Sequence, residues 1–121
     1  MPGLETEHQA QELTGNDKLR WCLENLGQRI TTVAVNSDEL DASTVRGWDD
    51  GTIPEPTLPK VSLLYDAAKQ VSDVYDAQTA RAFLRSSNSY AGDESLLLVI
   101  AQAEPEQAAD IVSGAVAIFT E

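Results

Sequence analysis

Between Lys60 and Tyr75 the apolar side chains fall at Val61, Leu64, Tyr65, Ala68 and Val71. Gaps of three and four residues draw a stripe along one side of a helix, whereas a half-buried strand needs strict alternation. The same spacing recurs at Leu19, Cys22, Leu23 and Leu26, where Asn16 or Asp17 can cap the helix and Gly27 stands at its C-terminal stop. After a cap at Asp76, Ala80, Phe83 and Leu84 mark a further helix to Arg85. The run Glu94 to Ala101 is short, very apolar and central by composition. Pro105 suits the first turn of a last helix ending at Phe119, with Ile111, Val112, Ala115 and Phe119 on one side. "SSNSYAGD", residues 86–93, reads as a turn, and no strand pairing or hairpin signal stands out. The expected fold is all-α.

The N-terminal half carries shorter elements. Residues 1–16 lack apolar periodicity and read as a flexible start, with His8 solvated. A short helix is expected over Arg29 to Val35, followed by the polar turn "NSDELDA" with Leu40 as its apolar anchor. Asp41 or Ser43 caps a third helix in which Val45 and Trp48 face inward. Gly51 stops it, and Pro54, Pro56 and Pro59 block its resumption. Three short helices with a proline-bearing exit form a helix-turn-helix layout. The expected organisation is a flexible segment 1–16, a helix-turn-helix region 17–58, and a helical domain 59–121 packed against it.

Charge limits what such a layout can do alone. The chain has 121 residues and a formal net charge of −12. Five of its eight basic residues lie between Lys18 and Lys60. DNA affinity depends on Lys and Arg neutralising phosphates, so an acidic chain is a poor lone polyanion ligand and suits a basic partner better. One His and one Cys cannot build a zinc cluster or a nucleophile–base pair, and no glycine-rich phosphate loop is present. Pairs such as Asp49–Asp50 and Asp93–Glu94 fall at expected helix ends, where caps or solvated faces account for them. Neither enzyme activity, a cofactor nor a metal is expected. Cys22, the single cysteine, sits on an apolar stripe as a small buried hydrophobe and fits a reducing cytosol. The longest apolar run, Leu96 to Ala101, is too short to span a membrane, and no signal segment opens the chain. The expected location is the cytoplasm.

Two segments, in order, resemble one family. "LGQRITTVAVNSDELDASTVRGWDDGTIPEP", residues 26–56, resembles the Xre-like helix-turn-helix of the ParS/Xre/MbcA antitoxins, with its Leu-Gly, Thr-Val-x-x-Trp, Gly and Pro. "TARAFLRSSNSYAGDESLLLVIAQAEPEQAADIVSGAVAIF", residues 79–119, resembles the toxin-binding domain that follows in those proteins. Departures are Glu94-Ser95 where members usually place a Pro, and Ser89 where a Pro often follows the Asn. The resemblance implies a non-catalytic antitoxin that neutralises a RES-family, NAD-consuming toxin by covering its active-site entrance. It implies toxin contacts from Arg81, Asn88, Tyr90, Gly92 and Asp93. It also implies that Ile118, Phe119, Thr120 and Glu121 occlude that entrance. An acidic end suits this role, because a site that holds a pyrophosphate needs an electropositive mouth. Plainer roles stay open: Phe119 as core filler, Gly92 for a positive φ, Asn88 as a helix C-cap.

If the helix-turn-helix reads an operator, Ser43, Thr44, Arg46 and Gly47 occupy its outward face, with Arg46 the best base or phosphate contact. Lys18, Arg20, Arg29 and Lys60 can add phosphate contacts if they converge. Operator binding and autorepression are expected of the toxin complex more than of the free chain, acting as a homodimer or hetero-oligomer. The alternatives are a free-standing helix-turn-helix regulator, chromosomal or phage-borne, whose C-terminal helices dimerise, and an adaptor that uses a DNA-reader fold without reading DNA.

Overall fold

The computed structural model describes residues 14–35, 47–48 and 53–121. Among them are six α-helices: α1 (Gly15–Asn25), α2 (Gln28–Ala34), α3 (Leu58–Val74), α4 (Ala77–Arg85), α5 (Leu96–Gln102) and α6 (Pro105–Phe119). The fold is all-α. Short 3-10 turns cover Glu55–Thr57 and Ser89–Ala91, and two-residue strands β1 (Ser87–Asn88) and β2 (Glu94–Ser95) pair antiparallel. No described helix is long and apolar enough to cross a membrane.

Local chemistry explains where the helices start, and it corrects the expected cap of the first one. Thr14, not Asn16 or Asp17, is the first cap: its hydroxyl accepts from the Asp17 N–H at 3.1 Å, and the Thr14 N–H donates back to the Asp17 carboxylate at 3.2 Å. This reciprocal pair satisfies two orphan donors at once, which a single Asn or Asp cap does not. Pro59 sits in the first turn of α3, where a missing N–H costs nothing. Pro56 lies in the preceding 3-10 turn, so two of the three prolines lead into a helix rather than out of one. Asp76 caps α4 as expected, accepting from Thr79 N–H at 2.7 Å. Gly27 adopts φ +93°, turning the chain from α1 directly into α2.

The long helix α3 is the axis of the packing. It touches α1, α2, α4, α5 and α6, while α2 lies against α5 and α5 against α6. One cluster of buried side chains runs through the 17–58 and 59–121 segments alike, joining Cys22, Leu26 and Ile30 to Leu64, Leu84 and Ile100. The apolar run of α5 is central as expected, with Leu96, Leu97, Val99, Ile100 and Ala101 all buried. A smaller cluster joins Leu19, Val35, Trp48, Ile53 and Val61. Trp48 thus packs inward, and its carbonyl accepts from the Asn16 side-chain amide at 2.6 Å. Ser43, Thr44, Val45 and Arg46 lie outside the described residues. Gly47 is helical and exposed.

Cys22 is fully buried, and burial, with a smaller contribution from the Asp66 charge, pushes its thiol up to about 12. The unfolded thiol ionises near ~8.5, so the folded state holds this proton more tightly. Its contribution to stability is complete below that pH and is lost as pH rises toward 12. At pH 8 iodoacetamide should spare Cys22 in the native protein and alkylate it in denaturant. Rapid native alkylation would mean that α1 detaches from α3 without global unfolding.

Candidate interaction site at the end of the last helix

Three helices finish at one place. Tyr75 follows α3, Phe83 lies in the last turns of α4, and Phe119 closes α6. The rings of Phe83 and Phe119 stack with centroids 4.3 Å apart and planes 27° apart. Tyr75 meets Phe119 edge-on at 5.4 Å, and its hydroxyl donates to the Phe119 carbonyl at 3.1 Å. The chain has only two phenylalanines, and both are spent here. Phe83 is buried in the main core, so the cluster is anchored from below. Phe119 is 38% exposed, which removes the plain core-filler role.

β1 leaves α4 without an intervening loop and places Asn88 beside these rings. Two adjoining cavities, about 270 and 320 Å³, share Phe83, Ser87, Asn88 and Phe119 in their walls. The ladder that holds Asn88 went unanticipated, because two-residue strands show no period. Its register pairs Ser87 with Ser95 and Asn88 with Glu94. Closing the hairpin needs two left-handed residues, Gly92 at φ +67° and Asp93 at φ +69°. The Asp93 N–H donates to the Asn88 carbonyl at 2.9 Å. Asn88 is therefore a strand residue and not a helix C-cap, which is Ser86. Likewise, Asp93 and Glu94 belong to the hairpin rather than to a helix end.

The sequence-derived site residues divide into two groups. Asn88, Ile118 and Phe119 line one cleft although some thirty residues of chain separate them. Arg81 is elsewhere: its Nη1 donates to the Asn25 carbonyl at 2.8 Å, closing the C-terminus of α1. Gly92 and Asp93 are exposed in the turn, and Tyr90 lies in the 3-10 segment of that turn. Thr120 donates its hydroxyl to the Val116 carbonyl at 2.8 Å and caps α6, with Glu121 exposed beyond it. Phe83 and Ser87 line the cleft and Tyr75 packs on Phe119 beside it, none of them anticipated as site residues. Tyr75 was legible only as a helix end and Phe83 only as core.

Three basic side chains of the N-terminal half have partners within the fold. Lys18 lies 5.8 Å from the Tyr65 ring centre, Arg20 bridges to Asp17 at 3.6 Å, and Lys60 donates to the Ala101 carbonyl at 2.8 Å. Lys60 and Arg81 thus each place a cation on the carbonyl end of a helix, where the backbone dipole favours it.

Of the six large apolar side chains left exposed among the described residues, four lie at this end of the bundle: Val74, Tyr75, Ile118 and Phe119. Such clustering, rather than single exposed apolar residues, marks a surface used for contact. No group of three or more metal-binding side chains is found among the described residues. The architecture and this face together define an all-α bundle with an aromatic cleft at one end. Comparison with family models, curated proteins and solved structures finds no match.

Proposed function

We propose that the chain is a non-catalytic antitoxin that neutralises a RES-family, NAD-consuming toxin by covering its active-site entrance. One observation carries this reading: the exposed Ile118–Phe119–Tyr75 patch beside the Asn88 cleft. It offers apolar surface to a protein partner at the end that the antitoxin resemblance assigns to the toxin. The net charge of −12 suits an electropositive pocket mouth. In this reading the protein acts in the cytoplasm as a homodimer or as a hetero-oligomer with its toxin. Operator DNA is bound by the complex, through the segment around Arg46, and autorepression follows from that binding.

The test is co-expression with the product of the adjacent reading frame, which should be toxic alone and harmless beside this chain. Ile118→Gln should abolish protection while changing stability by no more than about 0.5 kcal/mol, because Ile118 is 60% exposed. Protection that survives this variant removes the site from the end of α6. A deletion made for the same purpose must begin after Ala117, since Val116 is buried and its loss would unfold the last helix. If no neighbouring product is toxic, the antitoxin reading fails and a free-standing helix-turn-helix regulator takes its place.

A further inference from the structure

We propose that the cleft beside Phe119 receives an arginine side chain of a partner protein, its guanidinium against the aromatic wall and its N–H groups toward the polar rim. This rests on the end of α6 being the partner-binding face. The C-terminal halves of two helices contribute to the cleft walls: Ala82 and Ser86 from α4, and Ala115 and Ile118 from α6. A helix C-terminus carries a partial negative charge of roughly half an elementary unit. Thr79, in the same wall, donates its N–H to the Asp76 carboxylate at 2.7 Å. The Thr79 hydroxyl and N–H together hold that carboxyl below the usual carboxylate range. Among the described residues no Lys or Arg lines either cavity.

The chemistry of the walls narrows the occupant. Phe119, stacked on Phe83 and partly exposed, supplies a ring that attracts a cation, while the side-chain oxygens of Ser87, Asn88 and Ser89 are hydrogen-bond acceptors. A planar, weakly hydrated guanidinium uses both surfaces at once, and an ammonium stacks less well. An uncharged apolar side chain would cover the ring but strip water from the hydroxyls without replacing it. A second copy of this chain would bring two acidic faces together. A basic partner protein is the occupant that complements both charge and shape.

Titrating the isotopically labelled free protein with N-acetyl-arginine amide, followed by amide NMR shifts, tests this directly. Saturable shifts are expected at Ser87, Asn88, Ser89 and Ile118, and not with N-acetyl-leucine amide. Phe119→Leu keeps apolar bulk without the ring and should weaken the arginine probe by about two- to fivefold, the scale of an exposed cation–π contact. Asn88→Lys should abolish the shifts by placing a resident cation in the cleft. Equal shifts with the leucine probe, or no saturable shift with the arginine probe, overturn the proposal. Because no toxin is present, such a failure leaves neutralisation standing. A positive titration with failed neutralisation overturns the antitoxin reading instead.

Discussion

Leu64→Ala should lower stability by about 3 kcal/mol and the melting temperature by roughly 10–20 °C. Leu64 is completely buried on α3, the helix that touches every other described helix. The shortened side chain leaves a void among neighbours from several elements, and they cannot all relax into it together. Removing those methyl groups forfeits transfer energy and leaves a cavity, and both effects act in the same direction. A domain of this size has about 5–15 kcal/mol in total, so one such change consumes a large part of it. Urea denaturation with a two-state fit measures this. A loss under about 1 kcal/mol would mean that the core collapses around the gap, and that α3 is not the rigid axis its contacts imply.

The second large effect separates two stacked rings. Phe83→Ala should destabilise the fold by about 3–5 kcal/mol, because this ring is buried and belongs to the main core. It should also remove the floor under Phe119 and so abolish partner binding. Phe119→Ala should cost only about 1 kcal/mol of stability, since more than a third of the residue is already in water and its aromatic contacts are worth roughly that much. Its effect on neutralisation should nevertheless be as complete as that of Phe83→Ala. Thermal melts paired with a co-expression assay read both quantities. Equal destabilisation by the two variants would make Phe119 a core residue and remove the reason for placing a site there.

Helix positions and most of the buried face were readable because they follow from local rules. A stripe at three- and four-residue spacing has one stable solution, and Asp76 announces its helix by a bond spanning three residues. The same locality explains the misses. Thr14 was hidden because its role depends on a reciprocal bond with Asp17, and several polar residues nearby were equally eligible. Pro59 is consistent with the helix expected from Lys60, since a proline permits helix after it, and the helix begins at Leu58. The β1–β2 ladder is too short to carry a pattern, and its turn places Asp93 at a positive φ that few non-glycine residues adopt. The bond from Arg81 to Asn25 was hidden as well, because it joins residues of α4 and α1 that are distant in sequence.

The amino-acid sequence alone determined that this chain is helical, roughly where its described helices run, and that Cys22 and the α5 run are buried. Those properties depend on neighbours within a turn or two, which the linear order already contains. Tertiary structure decided which ends of which helices meet. Phe119 lies some thirty or more residues beyond Tyr75, Phe83 and Asn88 and shares no period with them, so their convergence follows only from how α4 and α6 pack against α3. Tertiary structure likewise brings Lys60 to the Ala101 carbonyl of α5 and Arg81 to the Asn25 carbonyl of α1. Charge and periodicity are sums over the chain, but a cleft is a matter of adjacency, and adjacency is what folding adds.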